Sequence, residues 1–465
     1  NLLDLGFEGI FTGTKRIYTR PPRRSHFVFR NNTVCLGNFG EFPVIYRQSD
    51  EARQIAEQIQ RVQGTKSGRI IVLTGARQVG KTTLVKNVLK DYTYISIEDP
   101  VMRPSYLGLN SAQWSKLYPK AALDEVQKEP QLIESIKAVY DQYDQVSYVL
   151  LGSSKILLLD KVKESLAGRC SIFDMYPLTL PEMQTESWHD KVKYSFWQMM
   201  LMEENFQCDF YPSFLLDSAM VSKQQAWEFY LTYGAYPALV DESMSKEERW
   251  QWLANYVRTY LERDIRDLAV IRDLEPFVKL QQAIALQTSQ TINLSSLAVR
   301  VGVSAKTVQR YLDYLILSYQ AILLPAWDRN ENKRISKSPK VHLLDYGVLQ
   351  SVLQKRGGIT GAEFESAVVA ELYKQAKNIL SPARFYHFRT HDGKEVDLLV
   401  ELPQGYMAFE IKMSEHVQKT DARHLKDLED ILDKPLIHAF VLSNDVITSR
   451  ISDKISMLNA AMFLG

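Results

Sequence analysis

Cysteine is scarce: Cys35, Cys170 and Cys208 are the only three in 465 residues, and they form no CxxC pair. That excludes a disulfide scaffold and a cysteine zinc site, and it makes a reducing cytoplasm the expected compartment. Net charge is equally scarce. Lysine and arginine number 56 against 55 acidic residues, a formal +1 that rules out a uniformly basic nucleic-acid coat but not a local basic surface. Long apolar runs are missing too. Tyr148 to Gly152 and Ile156 to Leu159, the latter preceded by Lys155, fall far short of the ~20 residues that cross a bilayer, so no membrane span is expected. The start at Asn1, with Asp4 and Glu8 breaking its apolar residues, does not fit a signal peptide. No fixed-period repeat or low-complexity block stands out.

What is present is ordinary globular material, 45% hydrophobic and 24% charged, in a chain long enough for about three domains at roughly 100 to 200 residues each. Residues 1–45 mix aromatics with Lys15, Arg16, Arg20, Arg23, Arg24 and Arg30 around Pro21-Pro22, and fit short strands or an extended arm equally well. From Ile71 to Thr74 an apolar β-type run ends in a glycine turn, and Lys81 to Lys90 then has helical spacing. Further β-type runs at Tyr94 to Ile97, Ala121 to Leu123 and Tyr148 to Leu151 alternate with helix-length segments. The fold class is therefore α/β, a parallel sheet flanked by helices. After Tyr176 the pattern turns mostly helical, with an acidic, Met- and Trp-rich stretch from Trp188 to Phe210.

Gly75-Ala76-Arg77-Gln78-Val79-Gly80-Lys81-Thr82, followed by Thr83, fits GxxxxGK[ST] between a strand and a helix, the context a P-loop requires. The glycines let backbone N–H groups close around phosphates, Lys81 reaches the β and γ phosphates, and the Thr82 hydroxyl can hold Mg²⁺. Hydrolysis needs carboxylates nearby, and Ala121-Ala122-Leu123-Asp124-Glu125 supplies two at a strand end. Asp124 is placed to hold Mg²⁺ and Glu125 to polarise the attacking water. The hydroxyls of Ser153 and Ser154, at the end of the next strand, are candidates to sense the γ phosphate or simple turn residues.

The stretches LTGARQVGKTTL, LDEVQ, LLGSS, SLAGR, TYGAYPALV, YLERDI and SPKVHLLDYGVL, spread from about residue 70 onward, resemble a group of bacterial and archaeal AAA-like P-loop ATPases. These carry a winged-helix segment and a restriction-endonuclease-like C-terminal domain of poorly known role. The resemblance implies a division into 1–45, an extension; 46–230, the ATPase domain; 231–350, a helical and winged helix-turn-helix region; and 351–465, the nuclease-like domain. It also makes Arg169, in SLAGR, a candidate for stabilising charge at the nucleotide or at a neighbouring subunit.

Leu294 to Ser304 reads as a short helix, a glycine turn and a serine N-cap, followed by a second helix from Ala305 to Tyr314. Leu297, Val301, Val303, Val308, Leu312 and Leu315 would make its core. Lys306, Thr307, Gln309 and Arg310 then face outward, residue types that contact phosphates or base edges. A strand pair at Ile322 to Leu324 and Val341 to Leu344 would enclose Arg329, Lys333, Arg334 and Lys337 in a wing. The alternative is a lid or spacer of the ATPase.

Glu395 to Val400 and Met407 to Lys412 read as a hairpin turning at Pro403-Gln404. In that register Asp397 opposes Glu410 and Glu395 opposes Lys412, close enough for two carboxylates to share a cation. Val396, Leu398, Val400, Phe409 and Ile411 fall on the opposite, buried face, and Leu399 on the polar face argues against full solvation there. The arrangement resembles the PD-(D/E)xK nucleases. That resemblance makes Asp397 the first acid, Glu410-Ile411-Lys412 the ExK triplet and Glu365 an additional acid. The implied chemistry is Mg²⁺-assisted phosphodiester hydrolysis with Lys412 orienting or activating water.

The leading expectation is an ATP-binding, ATP-hydrolysing protein acting on nucleic acid through the winged helix and the nuclease-like domain. The rivals are a nucleotide-dependent regulatory or scaffold protein with a silent nuclease-like domain, and ATP binding with negligible turnover. ATP, ADP and Mg²⁺ are the expected ligands; DNA and further copies of the chain are candidate partners. Charge distribution supports a local basic surface. Residues 294–340 carry eight basic side chains against three acidic ones, whereas residues 182–210 carry six acids against two lysines.

Overall fold

The computed structural model describes residues 51–63, 65, 68–153, 162, 164–203, 211–241, 243–268, 273–390 and 393–465, with 260–268 by backbone alone. The N-terminal extension, Ser154, Cys35 and Cys208 lie outside these residues, as do the side chains of YLERDI.

The first sheet is built from β1 (Ile70–Gly75), β2 (Thr93–Ser96), β3 (Lys120–Asp124), β4 (Ser147–Gly152) and β5 (Cys170–Met175). All five run parallel in the order β2-β3-β4-β1-β5. Helices cover both faces. Ile71 and Leu73 therefore enter one core and Ile70 and Val72 the other, and the strand reads as an unbroken apolar run. β5 has no such run because it is an edge strand with Ile172 43% exposed, which is why sequence periodicity did not reveal it.

The middle of the chain holds the two expected helices, Leu294–Val301 and Ala305–Leu317, the second longer than anticipated. Gly302 joins them at φ 78°, and the Ser304 hydroxyl accepts from Thr307 N to cap the second. Leu297, Val301, Val308, Leu312 and Leu315 are buried, with Val303 packed alongside. Beside them lie β6 (Gln290–Thr291), β7 (Ala321–Leu324) and β8 (Lys340–Leu343), antiparallel with β8 central. The β7–β8 connection is not a free loop. It contains the helix Glu331–Ser336, and Ala326 forms a parallel bridge with His387 of the C-terminal sheet.

That sheet consists of β9 (Arg384–Arg389), β10 (Glu395–Leu402), β11 (Gly405–Lys412), β12 (Leu436–Ser443), β13 (Ser449–Ser452) and β14 (Ile455–Asn459). It is mixed, in the order β13-β14-β12-β11-β10-β9. The β10–β11 hairpin has the expected register, with Leu398 opposite Phe409 and Leu402 opposite Gly405. Both faces are buried rather than one: Leu398 and Phe409 join the core under the helix Gly361–Asn378, while Leu399 and Ala408 pack with Trp327, Leu425 and Leu428. Val396 joins this second group, not the first as expected, because a bulge between Val396 and Leu399 shifts the alternation. At Gly405 a Cβ would lie 2.4 Å from the Pro435 carbonyl oxygen, so glycine there permits the close approach of the next segment.

Two of the quoted stretches form one lock. The helix Met220–Tyr233 ends at Gly234 (φ 81°), and Asp345 accepts from Ala235 N at 2.8 Å and from Val348 N at 3.0 Å. A Cβ on Gly234 would sit 2.2 Å from Asp345 Oδ1. TYGAYPALV and LLDYGVL are thus shaped by mutual packing. Among the described residues no helix is long and apolar enough to cross a membrane.

Candidate nucleotide site and C-terminal carboxylate cluster

The P-loop leaves β1 at Gly75, where a Cβ would lie 2.3 Å from the Met175 carbonyl oxygen, and enters the helix Lys81–Val88 through Gly80 at φ 92°. Both positions demand glycine, one for space and one for backbone conformation. Lys81 Nζ donates to the carbonyls of Gly75 (2.9 Å) and Ala76 (2.7 Å), so its ammonium lies inside the ring of the loop. Thr82 Oγ1 donates to Asp124 Oδ2 at 2.6 Å. Tyr94, unforeseen from sequence, donates to the same oxygen at 2.6 Å; burial and then that bond raise its phenol pKa. Glu125 sits at φ 57°, its carboxylate bonded by Gln127 and, at 3.3 Å, by Ser153 Oγ.

A cavity of about 470 Å³ spans these residues. It takes in Arg77, Gln78, Val79 and Thr83 of the loop, Asp124, Glu125 and Ser153, and from other segments Glu51, Arg53, Trp188, Pro237 and Ala238. That volume suits a nucleotide. Of these last five only Pro237 and Ala238 fall in a stretch that carries the family resemblance. The paired oxygens of Thr82 and Asp124 are hard donors of the kind Mg²⁺ takes alongside phosphate, so this donor set fits the ion.

Arg169 is elsewhere. Its guanidinium pairs with Asp141 (Nε to Oδ1, 2.9 Å), and Cys170 beside it aligns with Ile70, the start of β1. The P-loop begins at the opposite end of that strand of 6 residues, about 16 Å away at ~3.3 Å per residue step. The expected role at the chain's own nucleotide is therefore corrected: Arg169 cannot reach it.

The C-terminal acids do come together, around an unexpected partner. Lys340 of β8 is 2% exposed, and its Nζ lies 2.7 Å from Glu365 Oε1, 3.3 Å from Glu395 Oε1 and 3.8 Å from Asp397 Oδ1. Asp397 Oδ2 accepts from Ile411 N at 2.8 Å, and Lys412 Nζ donates to Glu410 at 2.6 Å. Burial, then the charge of Asp397, pushes Glu365 up to about 8 and Glu410 up to about 7. Burial alone would depress Lys340, but the carboxylates of Glu365 and Asp397 outweigh it and raise its pKa.

Among the described residues no group of three or more His, Cys, Asp or Glu side chains could hold a metal ion. Around the acids expected to ligate Mg²⁺, an ammonium lies close to Glu365 and Asp397, and Lys412 is tied to Glu410. The sequence signal was a lysine opening a strand in which apolar residues alternate, counted only in the basic charge of residues 294–340.

Lys306, Gln309 and Arg310 are exposed on the helix Ala305–Leu317, with Thr307 half-buried in the cap. Lys333 is exposed as well. Arg329 instead donates to the carbonyls of Ile431 (3.0 Å) and Leu432 (3.1 Å). Arg334 pairs with Glu401 and Asp433 and stacks on Trp327 and Tyr386. Arg334 is thereby tied to Glu401 of the C-terminal sheet and to Asp433, whereas Arg329 is exposed and reaches the segment that precedes β12.

Residues 67–184 match the AAA domain family. Residues 224–357 and 360–463 match two domains of unknown function (DUF8612 and DUF4143). Uncharacterized proteins of Mycobacterium bovis and Mycobacterium tuberculosis are each 27% identical over 353 residues, 74% of this chain and 70% of theirs. A signal transduction ATPase with numerous domains and a tetratricopeptide repeat sensor, from Pyrococcus horikoshii, is 10% identical with a TM-score of 0.25, too low to indicate a shared overall fold. The match covers 72% of this chain and 46% of that one, so this chain spans less than half its length. Sheet order, loop geometry and family match together make the segment 67–184 a P-loop domain of AAA type.

Proposed function

We propose that the chain is an ATP-binding, ATP-hydrolysing switch whose middle and C-terminal segments carry its output. The observation that carries this reading is the contact of Thr82 with Asp124 at 2.6 Å, beside Lys81 and under Glu125, in one nucleotide-sized cavity. Lys81 neutralises phosphate charge, the loop amides orient the triphosphate, and Glu125, held by Ser153, aligns the attacking water and takes its proton. Mg²⁺, held by Thr82 and Asp124, supplies further charge neutralisation when bound. The division at 46–230, 231–350 and 351–465 is retained as part of the proposal, and Arg169 is assigned to a neighbouring copy of the chain.

For the output, the regulatory reading is favoured over nucleic-acid cleavage, because Lys340 stands among the acids a nuclease would need. Lys306, Gln309 and Arg310 remain as the exposed surface for DNA contact. The test is Mg²⁺-dependent ATP turnover of the full chain with Lys81→Ala and Glu125→Gln. Lys81→Ala is expected to lose nucleotide binding. Glu125→Gln should keep binding and slow turnover by about 10²-fold or more. Turnover unchanged by both substitutions would overturn the assignment.

A further inference from the structure

We propose that Lys340 is the resident cation of the C-terminal acid cluster, a latch that excludes divalent metal and ties the helix-turn-helix module to the C-terminal sheet. The acids belong to the helix Gly361–Asn378 (Glu365) and to β10 (Glu395, Asp397), whereas Lys340 belongs to β8, paired with Thr291 and Leu324 in the other module's sheet. Nζ is ion-paired with Glu365 Oε1 at 2.7 Å and donates a hydrogen bond to Glu395 Oε1 at 3.3 Å. A lysine at 2% exposure survives charged only because these carboxylates surround it, and a divalent ion in the same space would meet it as a like charge.

Two further contacts run along the same seam: His387 Nε2 with the Ser338 carbonyl at 3.1 Å, and the Ala326–His387 bridge. Opening the cluster therefore means parting the two modules, and closing it docks them. Two buried oxygens of the cluster, Glu365 Oε1 and Glu410 Oε2, have no hydrogen-bond partner, so with the ammonium removed the acids would offer a cation ready ligands. The latch stands whether or not the P-loop hydrolyses ATP.

The first experiment measures Mn²⁺ bound by nucleotide-free full-length protein, by electron paramagnetic resonance of the free ion. Wild type should show no site that depends on Asp397. Lys340→Met should gain one Mn²⁺ per chain, and Lys340→Met with Asp397→Asn should lose it again. Asp397-dependent Mn²⁺ binding by wild type would overturn the latch, as would a folded Lys340→Met chain that binds no more than wild type.

A second arm needs no Lys340 variant to fold. Lysine acetylation read by mass spectrometry should find Lys340 protected at least tenfold relative to Lys306 and Lys333 in wild type, with that protection lost in Glu365→Gln. Equal reactivity of the three lysines in wild type, or protection unchanged by Glu365→Gln, would equally overturn it.

Discussion

The Tyr319 hydroxyl lies 2.7 Å from Thr74 Oγ1, joining the end of the helix Ala305–Leu317 to the residue that precedes the P-loop. Tyr319 also donates to Asp174 on β5 at 2.6 Å, so one side chain from the middle module bonds two adjacent strands of the nucleotide-binding sheet. Tyr319→Phe keeps the ring packed against Tyr176 but removes a bond to a charged group. It should cost about 2 kcal/mol in urea unfolding. A variant as stable as wild type would show that the contact contributes nothing.

Asp124 Oδ2 receives bonds from both Thr82 and Tyr94. Tyr94→Phe frees the carboxylate to swing, so the Mg²⁺ concentration for half-maximal ATP turnover should rise by about tenfold. A magnesium titration of turnover checks this, and an unchanged midpoint would remove Tyr94 from the site.

Glycines at positive φ should differ in cost according to their surroundings. Gly302→Ala meets nothing within 4 Å and bears backbone strain alone, about 1–2 kcal/mol. Gly234→Ala adds a Cβ 2.2 Å from Asp345 Oδ1 and disturbs the bonds to Ala235 N and Val348 N. Its cost should be roughly 4 kcal/mol or more. Thermal melts of the two variants give the ordering.

Burial lowers His387 and His438 from the ordinary 6.5 to about 4. Both are held neutral in the fold, so the unfolded chain binds more protons between those values. Their contribution is fully present above pH 6.5 and is lost as pH falls towards 4, up to about 3 kcal/mol each. Stability measured from pH 7 to pH 4 should fall. His438→Gln should flatten that dependence even if it lowers stability at pH 7.

If the exposed side chains of the helix Ala305–Leu317 contact phosphates, Lys306→Ala and Arg310→Ala should each weaken duplex binding and reduce its log–log salt slope by about 1. Arg334→Ala should leave that slope unchanged and lower the melting temperature instead, since its partners are Glu401 and Asp433. Fluorescence anisotropy over a salt series separates the two behaviours.

Local chemistry was legible in the sequence. The P-loop with Asp124 and Glu125 is written in contiguous residues whose geometry follows from glycine and strand ends, and the hairpin register follows from its turn. Contacts between distant segments were not. Lys340 lies 55 residues before Glu395, and nothing in a strand of alternating apolar residues announces which acids will meet its ammonium. Arg334 looked like a basic wing residue until Trp327, Tyr386 and Glu401 were seen to enclose it. β5 escaped because an edge strand needs apolar residues on only part of its length. Arg169 illustrates the converse error, a residue type carried over without the strand polarity that fixes its end of the sheet.

The nucleotide cavity draws its walls from before the sheet (Glu51, Arg53), from the loop itself and from after it (Pro237, Ala238). A molecule seated there acts as mortar between segments that no covalent bond brings together. Its binding free energy is added directly to the stability of their docking, about 4 kcal/mol at a thousandfold excess over Kd. The lifetime of the assembled arrangement then becomes a readout of how long the site stays filled.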